Sequence, residues 1–385
     1  MTFEEFKEYI GSVKDNPKFI EIYNFTQMGN LKSSKDFYES LNYYLSLSCA
    51  KNSGNGFEPD YEYFVKFVRL YLSGESQELI FNEEGFIELS KNLHIVKPLR
   101  FCGGGRFTDN NFMTTNGKKY ISKYPTNYFA SYVRNKNCLY APVIASYVAK
   151  VFDVEAADIS LGISRRDGSR RIISKNFLKP SEQLVTYGQC LKVSEQLALL
   201  EETLRLRRFD KSEIEKVKLD FIKQEFVTKL IGLRDQSEQN CPLALLVDEQ
   251  GKRHIRIAPL FDLDFSFHIA EEANLLLMRT CDNGKTDVAS FIEQYKNYPG
   301  FIEWVVEKIS CFDTKKFFQN MAKETKIKDF EDFEIDEEMK KYIIFLDNNI
   351  QLARNAIDRT FKEERDGLEW VWFYIGKILI IIRII

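Results

Sequence analysis

Histidine is scarce in this chain, which has only His94, His254 and His268 among its 385 residues. Three dispersed histidines exclude a histidine-rich metal cluster and leave few candidates for a Ser/His/Asp hydrolase. The seven cysteines are odd in number and widely spaced, and no two of them form a Cys-x-x-Cys pair. This pattern favours reduced, mostly buried thiols over a disulfide framework or a zinc site.

The chain also lacks an excess of charge of either sign, since 54 Lys and Arg stand against 57 Asp and Glu, for a net charge of -3. This balance gives no electrostatic case for nucleic acid as the main ligand. Residues 1–11 are acidic and contain no apolar core, so we expect no Sec-type signal peptide. We therefore predict a cytoplasmic protein, with secretion or host-cell translocation by a route that needs no signal peptide as the alternative.

A long hydrophobic run occurs only at the C-terminal end, within residues 366–385. Lys377 and Arg383 interrupt it, and it is shorter than the ~20 apolar residues that a membrane-spanning helix needs. Trp370 and Trp372 would suit contact with a membrane interface. The alternatives are an aggregation-prone strand and a segment packed on the helical part of the chain.

The polar residues of the stretch 233–265 follow the order that phosphoryl transfer requires. Asp235 and Asn240 form an Arg-Asp-x-x-x-x-Asn pattern, and Asp262 follows a predicted hairpin of two strands. A phosphotransferase has to orient a nucleophilic hydroxyl and hold Mg²⁺, which prefers hard oxygen ligands, against nucleotide phosphates. We therefore predict that Asp235 faces the hydroxyl and that Asn240 and Asp262 bind the metal. The pattern alone is weak, because Asp and Asn are also common in turns.

A glycine-rich stretch upstream has the composition of a phosphate-covering loop. It precedes a strand, an Asn-Gly dipeptide at 116–117 that predicts a type I′ hairpin, and a second strand that contains Lys123. Glycines let the backbone approach phosphates, and a strand lysine can bind them. The alternative is a flexible turn followed by a surface lysine. The candidate phosphate-loop residues are Gly103, Gly104, Gly105 and Arg106.

Hydrophobic periodicity predicts the other elements. Aromatic stripes predict helices through residues 1–98, and strands follow between residues 95 and 177 around a helix at 139–152. A helix at 212–231 is predicted to end at a C-capping Gly232. The remainder of the chain is predicted to be largely helical.

This succession of a five-stranded lobe, a long helix, a catalytic loop, a hairpin and an acidic segment resembles the protein kinase-like fold. The motifs are most similar to those of the HipA-type atypical serine/threonine kinases, and within them to the cell-translocating kinase A group of bacterial effectors. The resemblance implies an α+β fold, with a small antiparallel β lobe and a larger helical lobe after a helical N-terminal extension. It covers about residues 95–350 and rests on Gly-Lys-Lys-Tyr-Ile-Ser-Lys at 117–123, Ala-Pro-Val-Ile-Ala-Ser-Tyr-Val-Ala at 141–149, Asp235 with Asn240, and Ala-Pro-Leu-Phe-Asp at 258–262.

The resemblance also implies roles for individual residues. Lys123 would bind the ATP phosphates and Asp235 would be the catalytic base. Asn240 and Asp262 would bind Mg²⁺, with Asp264 as the alternative because Asp-Phe-Ser at 264–266 is similar to Asp-Phe-Gly. The backbone around Lys175, Asn176 and Phe177 would contact adenine.

One feature of conventional kinases is missing from the sequence. They pair the strand lysine with a glutamate on a helix, but residues 128–152 contain no Asp or Glu. Either Lys123 is positioned in another way, or Glu155 takes the place of that glutamate.

These patterns predict an ATP- and Mg²⁺-dependent kinase that phosphorylates Ser and Thr of protein substrates, including itself, in the setting of a translocated bacterial effector. The alternatives are a pseudokinase that binds nucleotide or partners, and a small-molecule phosphotransferase of the same fold. The predicted domains are a helical extension at 1–98, a lobe with the glycine-rich loop at 99–180, a helical lobe with the catalytic loop at 181–365, and the apolar tail at 366–385.

Overall fold

Eleven α-helices and eleven β-strands make up the described part of the chain in the computed structural model. They form two compact units: the first comprises Met1–Val143, Ala157–Phe177 and Thr325–Asp329, and the second comprises Ile144–Ala156, Leu178–Glu324 and Phe330–Ile385. The structure describes residues 1–26, 36–52, 57–97, 108–123, 137–164, 168–179, 182–185, 193–233, 243–247, 253–263, 266–267 and 287–384.

Four amphipathic helices open the first unit. The side chain of Thr2 and that of Glu5 form a reciprocal capping box at the start of the first helix, and Gly74 ends the fourth in a left-handed conformation. Their apolar faces share one core with Ile95 and Met113 of the sheet described below, so these helices pack on the sheet. The elements are α1 (Phe3–Val13), α2 (Pro17–Thr26), α3 (Phe37–Ser48), the strands β1 (Ala50–Asn52) and β2 (Phe57–Pro59), and α4 (Tyr61–Ser73).

A six-stranded sheet completes the first unit, in the order β3-β7-β8-β6-β5-β4. All neighbours are antiparallel except β3 and β7, which are parallel. The prediction of helices through residue 98 is wrong at β3, whereas β4 overlaps the strand that was predicted from residue 95. The strands are β3 (Ile87–Glu88), β4 (His94–Lys97), β5 (Thr108–Thr114), β6 (Lys119–Lys123), β7 (Ile159–Ile163) and β8 (Arg170–Lys175).

The predicted hairpin between β5 and β6 is present, but its turn is not of type I′. A type I′ turn needs positive φ at both central residues, and of Asn116 and Gly117 only Gly117 has one, at +76°. The amide of Gly117 donates to the carbonyl of Thr114, whose own amide donates to Lys118. This geometry matches a type I turn that ends in a glycine bulge, in which the glycine takes the left-handed position.

The second unit is mainly helical. Phe226 lies at the centre of its core, with its ring centroid 6.5 Å or less from those of Phe152, Phe291, Phe301 and Trp304. The helix α5 (Asn137–Val151) precedes this core along the chain, and the later helices are α6 (Val193–Leu206), α7 (Lys211–Leu230), α8 (Val288–Tyr295), α9 (Phe301–Ser310), α10 (Thr314–Thr325) and α11 (Glu337–Ile384), with a 3₁₀ turn at Lys328–Phe330 before α11.

A three-stranded antiparallel sheet in the order β11-β10-β9 lies in the second unit. The hairpin of β10 (Leu243–Val247) and β11 (Arg253–Ile257) was predicted, whereas β9 (Glu182–Val185) was not. The strand β9 pairs with β10, which lies far along the chain, and therefore leaves no local hairpin signal.

The α+β fold class is confirmed by these elements, with one unit that contains the large sheet and one that is mainly helical. The helix α11 continues to Ile384, so an extended strand, one alternative for residues 366–385, is not what the structure shows. Among the described residues, no helix has both the length and the apolar character to cross a membrane. The predicted domain boundaries stay predictions.

Candidate functional site

Lys123 is the last residue of β6, an inner strand of the six-stranded sheet. Along β6 the buried residues are Tyr120 and Ser122, so Lys123 lies on the opposite face of the strand and is half-buried. Its neighbours across the sheet are Thr108 on β5 and Ile172 on β8. The lysine predicted to bind phosphates is therefore held on a strand that is paired on both sides.

The residues predicted to contact adenine continue from the adjacent strand, β8. The amide of Lys175 donates to the carbonyl of Asp158 over 2.9 Å, and that of Asn176 donates to Lys119 over 2.8 Å. Asn176 is exposed and Phe177 is half-buried. Both amides are therefore used within the first unit, and neither is available to donate to an adenine.

Several predicted site residues fall outside the described parts of the chain. Within the described ranges, no group of three or more His, Cys, Asp or Glu side chains could hold a metal ion, and of the predicted metal ligands only Asp262 is described. The residues outside are Gly103, Gly104, Gly105, Arg106, Asp235, Asn240 and Asp264. Their roles stay predictions.

The C-terminal end of α7 leads toward Asp235 and is closed by a glycine cap, as predicted. Gly232 has a φ of +60°, and the amide of Leu233 donates to the carbonyl of Thr228 over 2.9 Å. This left-handed cap satisfies carbonyls that a helix end leaves free, and Gly232 lies three residues before Asp235 along the chain.

The segment 258–267, which contains Asp262, is attached to α7 at both of its ends; we call it the acidic segment. At one end the buried side-chain amide of Gln224 donates to the carbonyl of Ala258 over 2.8 Å. At the other end the amide of Phe267 donates to the carbonyl of Ile231 over 2.7 Å. One helix therefore positions both the acidic segment and the start of the loop that carries Asp235.

Asp262 itself adopts a left-handed backbone conformation, with a φ of +56°. Aspartate tolerates this conformation better than most residues other than glycine, although it remains uncommon and is enriched at functional sites. The next residue, Leu263, is fully buried, while Asp262 is half-buried. The backbone is thus anchored by an apolar side chain directly beside the carboxylate.

A network of two glutamates and one arginine supports the same region. Arg256 on β11 donates to both carboxylate oxygens of Glu182 on β9, over 2.8 and 2.9 Å, and also to the carboxylate of Glu155. The side chain of Glu182 is almost fully buried. The hydrogen bonds from Arg256 lower the pKa of Glu182 below its ordinary value, and they outweigh the opposing effect of burial.

Glu155 joins this network to the acidic segment, because its carbonyl accepts the amide of Leu260 over 2.8 Å. The carboxylate of Glu155 pairs with Arg256, and its suggested role as a substitute partner for Lys123 stays a prediction. The network was missed because β9, which supplies Glu182, was missed. The only signal in the sequence was that Glu155 and Glu182 lie next to predicted strands and that Arg256 lies within one.

Ser266 is the second unexpected feature of the acidic segment. Its amide donates to the carbonyl of Leu263 over 3.1 Å, which closes a turn directly after Asp262. Its side chain is buried, and its hydroxyl has no hydrogen-bond partner among the residues of the structure. A buried hydroxyl without a partner is rare in folded proteins.

No protein-family model matches the chain, and no curated protein sequence is significantly similar to it. Among solved structures, it is similar to the Helicobacter pylori proinflammatory kinase CtkA, with 14% identity and a TM-score of 0.48 over 71% of this chain and 99% of the kinase. It is also similar to a chain of the Shewanella oneidensis HipA, HipB and operator DNA complex, with 12% identity and a TM-score of 0.39 over 89% of this chain and 82% of that one.

Proposed function

We propose that the chain is an ATP-dependent kinase that transfers the γ-phosphoryl group to Ser and Thr hydroxyls of proteins. The observation that carries this proposal is the hydrogen bond from Phe267 to Ile231, which ties the acidic segment to the helix that leads to Asp235. Phosphoryl transfer depends on holding the metal ligands and the group that receives the hydroxyl proton in fixed relation. A shared anchor at the end of α7 supports this proposal, because Asp235 follows that end along the chain.

The residues of the acidic segment fit a magnesium ion by their chemistry. Asp262 offers a carboxylate on a backbone anchored at both ends, and Ser266 offers a buried hydroxyl that has no partner among the described residues. Mg²⁺ takes one or two carboxylates together with phosphate oxygens and waters, so a single well-placed aspartate with Asn240 is sufficient. When bound, ATP would supply the phosphoryl group, and Mg²⁺ would partly neutralise the negative charge of the phosphates.

Each residue of this chain would then have a separate task. Lys123 would bind the phosphates, Asn240 and Asp262 would hold the metal, and Asp235 would orient the acceptor hydroxyl and take its proton. The cation of Lys123 and the two metal-binding side chains act on bound nucleotide, whereas Asp235 acts on the acceptor. Nucleotide binding and transfer are therefore expected to respond to different substitutions.

A pseudokinase is the second candidate, and one observation favours it. The helix α5 carries no acidic residue, and Glu155, which follows it, is paired with Arg256. The helix glutamate of conventional kinases therefore has no counterpart on α5. A pseudokinase of this kind would bind nucleotide without transferring phosphate.

A transfer screen with γ-labelled ATP and Mg²⁺ separates the candidates. Label on the protein itself or on a protein acceptor is expected, and it should be absent when Mg²⁺ is removed. Label that appears only in a small alcohol would instead indicate a small-molecule phosphotransferase. Binding of Mg-ATP with no label in any acceptor would favour the pseudokinase.

A further inference from the structure

The hydroxyl of Ser266 differs from other buried hydroxyls of the same unit. Thr228 donates to the carbonyl of Glu225 over 2.7 Å, and Thr360 donates to the carbonyl of Ala356 over 3.0 Å. Both use the common solution, a bond back to the preceding helical turn. Ser266 is equally buried, yet its hydroxyl makes no hydrogen bond to any of the residues that the structure describes.

The position of Ser266 makes this missing partner informative. The turn from Leu263 to Ser266 fixes its backbone directly after Asp262, and the bond from Phe267 to Ile231 holds the following residue. The backbone on both sides of this side chain is therefore held by hydrogen bonds. A hydroxyl left without a partner there is destabilising, and such groups persist where a ligand, a water or an ion supplies the missing bond.

We propose that the Ser266 hydroxyl is a positioning group for the metal, which hydrogen-bonds a water that completes the hydration of Mg²⁺ held by Asp262. This inference rests on the proposed function. Mg²⁺ keeps several of its waters when it binds to proteins, and each water can donate to an uncharged oxygen such as a serine hydroxyl. Groups that orient metal ligands from outside the coordination sphere commonly change metal affinity 10- to 100-fold.

Binding of ADP to the full-length protein tests this role without measuring catalysis. Ser266→Ala should raise about tenfold both the Mg²⁺ concentration for half-maximal ADP binding and the Kd of Mg-ADP, measured by calorimetry. The Kd of ADP in the presence of EDTA should stay unchanged. The melting temperature of the nucleotide-free variant should not fall, because the hydroxyl loses no bond to the chain.

Thr360→Val is the matched control, because it removes a buried hydroxyl from the same unit that already has its partner. It should leave the magnesium dependence of ADP binding unchanged. The proposal is overturned if Ser266→Ala binds Mg-ADP like the wild type, or if it weakens ADP binding equally with and without Mg²⁺. Failure of the wild-type protein to bind Mg-ADP at all would instead overturn the proposed function, and this inference with it.

Discussion

Gly232→Ala should destabilise the protein at the C-terminal end of α7, which leads toward Asp235. The backbone there has a φ of +60°, and a Cβ would lie 2.5 Å from Cζ of Phe345, closer than real Cβ contacts allow. The left-handed conformation costs an alanine about 1–2 kcal/mol. Forcing a methyl group against a ring adds about 1–3 kcal/mol, so we expect a loss of roughly 2–5 kcal/mol in the free energy of unfolding.

Gly74→Ala is the matched control for this substitution. Gly74 also ends a helix, with a φ of +77°, but a Cβ there would have no atom within 4 Å. It should therefore lose only the conformational part, about 1–2 kcal/mol. Chemical denaturation of both variants measures the difference, which corresponds to the clash with the Phe345 ring.

Replacing the ring of Phe345 with a smaller side chain tests directly whether the clash causes the loss of stability. If the clash is responsible, the double variant Gly232→Ala, Phe345→Leu should lose less unfolding free energy than the sum of the two single losses. The expected difference is about 1–3 kcal/mol. Equal losses for Gly232→Ala and Gly74→Ala, with strictly additive behaviour in the double variant, would refute this reasoning about the end of α7.

Three further substitutions address the site and its supports. Glu182→Gln should lower the free energy of unfolding by about 1.5–3 kcal/mol at neutral pH. Because Arg256 lowers the pKa of Glu182, the wild type should lose this extra stability as the pH falls below about 4.5. The unfolding free energies of the two proteins, measured by denaturation, should therefore converge in acid. Asp262→Asn removes the carboxylate and should abolish the magnesium dependence of ADP binding in calorimetry. Because asparagine also tolerates positive φ, the unfolding free energy should change by less than about 0.5 kcal/mol. Lys123→Met should weaken ATP binding at least about tenfold, a loss of about 1.4 kcal/mol, and unchanged affinity would identify it as a lysine with no role in the site.

Local patterns in the sequence were sufficient to predict much of the fold. The apolar stripe of α7, its glycine cap and the hairpin of β10 and β11 all depend on residues close together in the chain, and the structure has each of them. The turn at Asn116 was predicted with the wrong geometry, because an Asn-Gly dipeptide is compatible with both a type I′ turn and a type I turn that ends in a glycine bulge.

The elements that were missed depend on contacts between distant residues. The strand β9 becomes a strand by pairing with β10, and β3 by pairing with β7. Glu155 was considered as a partner for Lys123, and only the folded chain shows that Arg256 binds its carboxylate. The free hydroxyl of Ser266 likewise depends on burial, which the sequence does not encode locally.

The choice of Asp262 over Asp264 as the main metal ligand remains a prediction from the motif. The structure describes Asp262 alone, as a half-buried carboxylate with a left-handed backbone. The comparison of Asp262→Asn with Asp264→Asn in the same binding assay distinguishes the two.

The measurement that tests the central claim most directly is transfer of label from γ-labelled ATP by the wild-type protein and by Asp235→Ala, with Mg-ADP affinity measured on the same samples. We predict that the wild type labels itself or a protein acceptor, and that Asp235→Ala loses transfer by at least about a hundredfold while it binds Mg-ADP with unchanged affinity. Equal transfer by the two proteins would contradict the assignment of the catalytic base, and the absence of Mg-ADP binding by the wild type would contradict the kinase account as a whole.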